Sequence, residues 1–270
     1  MTTVAAPTQL DAQNPWPGLD AFVENAYRFF HGRDREAAAL LSHVLNASVT
    51  VLYGRSGLGK TSLLQAGLFP ALRAQHLLPI YVRFDLKPDS PPITLQLREC
   101  VLRAIAEEVS DCLRPSDQES LWEYLHRADF ELWSAQNYLL TPVIVLDQFE
   151  EIFTLGDRLP DLVQAFRDDL GDLVENRIPA DIAARSEGEE AAAAGLNLRS
   201  QNYKVIICLR EDFLPELEGW CHLVPSISRS RLRLLPMQKV DALEAVRGPA
   251  GHLITSHLAR RIVDFIAGRT

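Results

Sequence analysis

Apolar residues along this chain alternate between two spacings. Val49–Tyr53, Pro79–Leu86, Pro142–Leu146, Tyr203–Leu209 and Arg231–Leu235 read as strands. Pro142-Val-Ile-Val-Leu146 has no polar position at all, which suits a parallel strand covered on both faces. Between these runs the spacing lengthens to that of a helix. Ala37, Leu40, Leu41, Val44 and Leu45 share one face of Arg35–Asn46, with Asp34 placed to cap it. Leu97, Val101, Ile105 and Val109 share one face of Ile93–Val109. Further helices are predicted over Ser62–Leu68, Ala71–Gln75, Gln118–His126, Phe130–Gln136, Leu159–Arg177, Phe213–Trp220, Val240–Val246 and Leu258–Ala267, with Gly67 and Pro70 breaking the first from the second. Strands alternating with helices predict an α/β fold around a parallel five-stranded sheet. Right-handed crossovers then bring the carboxyl ends of all the strands to one edge.

Two segments lack such periodicity. Residues 1–13 are rich in Thr, Ala, Gln and Pro and read as a mobile tail. Ala180–Ser200 is rich in Ala, Glu and Gly and reads as a solvated, flexible insertion, partly helical or disordered. One domain is therefore expected over 14–236, followed over 237–270 by helices with no strands between them.

Composition narrows the class. A chain of 270 residues has room for a full core, and no apolar run is long enough to span a membrane. The amino terminus lacks the basic and apolar regions of a secretory signal. A net charge of −9 argues against a dedicated nucleic-acid binder. Cys100, Cys112, Cys208 and Cys221 have neither redox nor zinc spacing and read as reduced thiols of a cytoplasmic protein. His222, His252 and His257 are scattered and read as surface or satisfied residues.

Chemistry enters at Gly54-Arg55-Ser56-Gly57-Leu58-Gly59-Lys60-Thr61-Ser62, between the first strand and a helix. This is the phosphate-loop pattern G-x-x-x-x-G-K-[ST]. Glycines allow several backbone N–H groups to converge on one anion, and the helix that follows aims its dipole and free N–H groups at the same place. Lys60 would reach the β- and γ-phosphates, and the Thr61 hydroxyl would bind Mg²⁺. Asp147 ends the apolar strand Pro142–Leu146, where a carboxylate is costly unless paired; a shared Mg²⁺ would pair it. Glu150 and Glu151 stand just beyond and could orient or deprotonate a water, or could cap the segment that follows. Arg210 ends the strand Tyr203–Leu209. There it could contact the γ-phosphate or pair locally with Glu211 or Asp212. Arg229, Arg231 and Arg233 read as a solvated strand face or a contact across a subunit boundary.

With these motifs in order, the chain resembles the STAND class of P-loop NTPases, and within it the bacterial novel STAND branch. Asn14–Leu19 with Phe30–Glu36, Gly54–Arg73, Asp147–Phe153 and Cys208–Phe213 carry the resemblance, which covers residues 14 to about 250. It implies the additional-strand P-loop fold, with the Asp147 strand between the phosphate-loop strand and its neighbour. It also implies that ATP and Mg²⁺ are the cofactors, that Arg33 lines the adenine side, that Arg210 is a sensor, and that Pro249 of Gly248-Pro249-Ala250 packs near the base. The segment 237–270 would begin a helical lid, with sensor or effector domains beyond it. Members are slow ATP-driven switches in signalling or defence, some forming nucleotide-dependent homo-oligomers. Gln148 stands where many P-loop ATPases carry the catalytic glutamate, which leaves Glu150 or Glu151 as base and implies slow hydrolysis. A faster work-performing ATPase or kinase, or a non-catalytic nucleotide-binding scaffold, are the alternatives.

Overall fold

The computed structural model describes residues 10–87, 89–109, 114–116, 118–156, 158–188 and 195–268. Their contacts divide into two compact units. One comprises Ser42–Arg55 and Leu72–Arg233; the other comprises the chain up to Leu41, Ser56–Ala71 and the chain from Leu234 on.

The first unit is built on the sheet. Strands β1 (Val49–Gly54), β2 (Leu77–Val82), β4 (Leu139–Leu146), β5 (Lys204–Arg210) and β6 (Arg231–Leu234) lie in the order β2-β4-β5-β1-β6, and a short β3 (Leu132–Trp133) pairs with β4 as a sixth strand. The pairs β2–β4, β4–β5 and β1–β5 are parallel. Val143–Leu146 and Val205–Leu209 are fully covered, so their unbroken apolar runs reflect burial on both faces. Helices α4 (Ile93–Glu108), α5 (Leu121–Leu125) and α7 (Pro160–Glu175) supply the covering side chains. Ile93, Leu97, Val101 and Ile105 of α4 are all buried, matching the stripe read from the sequence. Phe149, Phe166, Trp220 and the strand residues join them in one apolar core.

Three expectations need correction here. The strand that lies beside the phosphate-loop strand β1, on the side away from β6, is β5; the Asp147 strand β4 was expected there and lies one place further out, between β2 and β5. Phe130–Gln136 is not helical. Leu132–Trp133 pairs antiparallel with Leu139 and Leu140, and the turn between closes with Asn137 at φ 60° and a bond from the Ser134 N–H to the Tyr138 carbonyl. The sheet has six strands instead of five for the same reason. Within Ala180–Ser200, residues 180–188 form helix α8 (Ala180–Gly188), while 189–194 lie outside the described residues, as do residues 1–9 of the tail and Cys112.

The second unit contains the helix after the phosphate loop. It opens as α2 (Lys60–Ser62), widens into a π turn over Leu63–Leu68 and continues as α3 (Phe69–Ala74). Gly67 and Pro70 were expected to break it, and they do not. In the π turn the Phe69 N–H reaches back five residues to the Leu64 carbonyl. That wider turn leaves room for the ring of Pro70, which has no N–H to place. Gly67 serves packing: a Cβ there would lie 3.1 Å from the Phe30 ring and 3.2 Å from Leu63.

Helix α1 (Asp34–Asn46) begins directly after Arg33. After the short α9 (Leu214–Glu218) of the first unit, the segment from Leu234 on holds α10 (Lys239–Arg247) and α11 (Ser256–Ile266), the latter started by the Thr255 side chain accepting from the Leu258 N–H. Gly32 has φ 80°, and a Cβ on it would fall 2.3 Å from the Asp241 carbonyl oxygen and 3.1 Å from the Ala245 nitrogen, both in α10. A Cβ on Gly248 would fall 2.4 Å from the His31 ring. The His31-Gly32 turn and α10 therefore meet backbone to backbone, and glycine is what permits it.

Candidate nucleotide-binding site

Parallel pairing sets the sheet edge. Gly54 lies opposite Arg210 across β1 and β5, and Leu146 lies opposite Ile207 across β4 and β5. The carboxyl ends of three adjacent strands thus carry Gly54, Arg210 and, one residue past β4, Asp147. Nucleotides bind at this edge of open α/β sheets.

Asp147 is 3% exposed. Its Oδ2 accepts the Tyr81 hydroxyl at 2.9 Å and its Oδ1 accepts the Gln148 N–H at 2.9 Å. The second bond requires a tight turn, and Gln148 takes φ 55° to make it. That turn drops Phe149 into the core, where its ring meets Phe166, Phe153 and Trp220, and its N–H bonds the Cys208 carbonyl at 2.9 Å. Phe149 thereby anchors the carboxylate that stands two residues before it.

Glu150 and Glu151 open helix α6 (Glu150–Gly156), where a carboxylate is favoured by the helix dipole. Glu150 also accepts the Arg210 backbone N–H at 3.2 Å, which ties the acid to the end of β5. Glu151 is turned to Arg83 at 3.4 Å, with both side chains largely exposed. The Arg210 guanidinium is engaged locally. It bonds both carboxylate oxygens of Asp212, at 3.1 and 2.6 Å, and lies 5.5 Å from the centre of the Phe213 ring. At 43% exposure such a pair is weakly held and can be exchanged for another anion. Arg231 and Arg233 are paired with Glu218 and Glu211.

The phosphate loop is set by its own backbone. Gly57 and Gly59 have φ 76° and 82°, the region that glycine enters without strain. Gly59 is the cap of α2, and its carbonyl accepts the Leu63 N–H at 2.8 Å. Arg55, Ser56, Gly57 and Gly59 are exposed, and Lys60 and Thr61 half-buried, in the first turn after them. Ser62 is buried, and its Oγ accepts the Phe22 N–H at 3.1 Å.

Beside Gly57, Leu58 and Gly59 lies a cavity of about 660 Å³, walled by Phe22, Phe30, Met237, Val246, Val263 and Arg33 among others. Its lining is mainly apolar, and Phe22 and Phe30 pack ring against ring at 5.7 Å. This volume is in the range of small-molecule pockets. Arg33 belongs to the wall but is 3% exposed, its guanidinium bonded to Glu36 and to two carbonyls. Pro249 is buried and is not part of the lining.

Sequence reasoning missed Tyr81 and the aromatic wall. Tyr81 sits in an apolar strand with nothing local to mark it, whereas the paired aromatics at Phe22 and Phe30 were visible but had no pattern to assign them. Among the described residues no group of three or more His, Cys, Asp or Glu could hold a metal by itself, and no helix is long and apolar enough to cross a membrane.

The chain is similar in structure to the Walker-type ATPase PABY2304 of Pyrococcus abyssi, at 14% identity and a TM-score of 0.46 over 86% of this chain and 62% of that one. It is also similar to Cdc6p from Pyrobaculum aerophilum, at 16% identity and 0.49 over 88% and 55%, and to the Orc1 protein of Aeropyrum pernix solved in complex with DNA, at 14% and 0.42 over 88% and 59%. It spans between 55% and 62% of the length of these proteins. No curated protein sequence matches it. The family model described as Novel STAND NTPase 1 matches residues 15–269. By a match of that extent, running from before the first helix through the phosphate loop to the last helix, the chain belongs to the novel STAND NTPases.

Proposed function

We propose that this chain is the nucleotide-reading module of a switch: it binds ATP with Mg²⁺ and hydrolyses it slowly. The observation that carries this reading is the sheet edge at which Gly54, Arg210 and Asp147 end three neighbouring strands, with a phosphate loop leaving the first of them. The cavity beside Gly57–Gly59 is the place for the base, with Arg33 in its wall. The residues suit Mg²⁺. Asp147 offers a carboxylate and Thr61 a hydroxyl. A hard oxygen set of this kind, short of a full cage, is what Mg²⁺ takes when phosphates and water complete its shell. Bound there, the ion would neutralise charge on the transferred phosphoryl group.

The chain's own residues account for a low rate. Lys60 and the loop N–H groups hold the phosphates. Glu150 is the better-placed base because it lies against the end of β5, while Glu151 faces Arg83. Glu150 nevertheless spends acceptor capacity on the Arg210 N–H, and Arg210 must leave Asp212 to reach a phosphate. ATP and ADP then favour different states only if they engage Arg210 differently, which is the condition for a switch. The family's setting further suggests a cytoplasmic signalling or defence protein that assembles with itself when nucleotide is bound, its sensor and effector parts lying in other segments.

The test is steady-state ATP hydrolysis with and without Mg²⁺. A turnover below about 1 s⁻¹ that is lost in Asp147→Asn and reduced in Glu150→Gln is expected. Turnover well above that, or unchanged by Asp147→Asn, contradicts the reading.

A further inference from the structure

Arg33 is nearly fully buried at 3% exposure, yet it carries a charge. A buried guanidinium is retained only where its donors are used. Three partners use them: Nη1 donates to the Glu36 carboxylate at 2.5 Å and to the Leu235 carbonyl at 2.9 Å, and Nη2 donates to the Leu58 carbonyl at 3.2 Å. Glu36 neutralises the charge from one turn along the same helix. The two carbonyls belong to distant stretches. Leu58 lies within the phosphate loop, and Leu235 is the first residue after β6, on the way to α10.

The bond to Leu58 has a geometric consequence. A trans peptide is planar, so its carbonyl and the N–H of the next residue point in opposite directions. Among the described residues no peptide bond is cis. Turning the Leu58 carbonyl toward Arg33 therefore turns the Gly59 N–H away from Arg33. This peptide turns about ψ of Leu58 and φ of Gly59, and Gly59, at φ 82°, is the residue type that resists such a turn least. An anion-binding loop works only while its carbonyls point outward and its N–H groups inward. The geometry points to Arg33 as the positioning residue of the phosphate loop: it pins the Leu58 carbonyl so that the Gly59 N–H is presented to phosphate, and it joins that peptide to the connector at Leu235. Arg33 thus acts through the loop rather than by reading the base. The inference rests on the nucleotide-binding reading above and adds that the loop is pre-set before nucleotide arrives.

Arg33→Lys tests it. Lysine keeps the charge and can pair with Glu36, but a single ammonium on a flexible stem cannot replace a fork that spans two carbonyls. Binding of ATP, ADP and AMP to the full chain is measured for wild type, Arg33→Lys, Glu36→Gln and Lys60→Ala, with melting curves to confirm folding. ATP and ADP are expected to bind about tenfold more weakly to Arg33→Lys, the loss of one charge-assisted bond, while AMP changes little because it lacks the β-phosphate. Glu36→Gln leaves both carbonyl bonds and is expected to bind ATP as wild type does. An equal loss for all three nucleotides in Arg33→Lys would mean that Arg33 reads the base, and would overturn the inference. So would unchanged binding of ATP while Lys60→Ala abolishes it, and in that case the nucleotide reading survives alone. If wild type binds no nucleotide, both fall together. A crystal structure of the wild type without nucleotide covers the case in which Arg33→Lys fails to fold. The Leu58 carbonyl turned to the Arg33 guanidinium is expected, and that carbonyl turned the other way would overturn the pin.

Discussion

Replacing Gly32 by alanine tests the tightest of the glycine contacts among the described residues. Two costs arise, and they can be separated. The first is conformational: at φ 80° an L-residue is in the left-handed region, at about 1–2 kcal/mol. The second is steric. The new Cβ would lie 2.3 Å from the Asp241 carbonyl oxygen and 3.1 Å from the Ala245 nitrogen, wedged onto a rung of α10. Neither atom is the end of a side chain, so the helix itself must shift, and overpacking of this kind costs about 1–3 kcal/mol. The sum is about 3 kcal/mol. Gly18→Ala is the control, because Gly18 has φ 71° but nothing within 4 Å of its would-be Cβ. It bears the conformational cost alone. Denaturant unfolding followed by circular dichroism is expected to place Gly32→Ala about 2 kcal/mol below Gly18→Ala. Because Ala242 and Ala245 of α10 also wall the cavity beside the phosphate loop, Gly32→Ala is expected to weaken nucleotide binding as well. Equal stability of the two variants would refute the backbone-to-backbone contact and the reason given for this glycine.

Other outcomes follow from single contacts. Tyr81→Phe removes the hydroxyl that donates to Asp147 and is expected to cost about 1.5–3 kcal/mol of stability, checked by the same unfolding assay, together with a fall in Mg²⁺-dependent turnover. Asp169 has its carboxyl raised above the usual range, chiefly by desolvation and further by the charges of Asp172, Asp168 and Asp181. The folded state therefore binds the proton more tightly than the unfolded chain, and stability falls as pH rises from the ordinary carboxylate value through the folded one. Asp169→Asn removes that penalty. It is expected to raise the melting temperature at pH 7, with the gain shrinking to nothing below the ordinary carboxylate value; a gain independent of pH would contradict the cause. Tyr203 is buried with its hydroxyl donating to the Leu173 carbonyl at 2.9 Å, and Tyr203→Phe is expected to cost about 1 kcal/mol in thermal unfolding.

What was legible in the sequence was local. The phosphate loop could be read because its glycines, lysine and threonine are consecutive. Asp147 could be read because a carboxylate at the end of an unbroken apolar run calls for a partner. Arg210 could be placed at a strand end, with Asp212 two residues on as a local partner. What was not legible depends on neighbours distant in the chain. Periodicity says that β4 and β5 are buried but not which of them adjoins β1, and that order is a property of the crossovers. The π turn was hidden because Pro70 and Gly67 ordinarily break helices, and only the five-residue bond to Leu64 shows how they are accommodated. The hairpin at Leu132–Leu140 was hidden by residues that pattern as well for a helix, and Asn137 at positive φ decides it. Arg33 was assigned to the base side by resemblance alone. Its bonds to Leu58 and Leu235 lie 25 and 202 residues away along the chain, beyond any local pattern.

The central claim is that this phosphate loop holds a nucleoside triphosphate. Its most direct test is calorimetric titration of ATP with Mg²⁺ into the wild-type chain and into Lys60→Ala. Saturable binding at one site, weakened about a hundredfold by loss of the lysine, is the result expected from a charge-assisted contact to the β- and γ-phosphates. Absence of binding to the wild type, or the same affinity in both proteins, would contradict it.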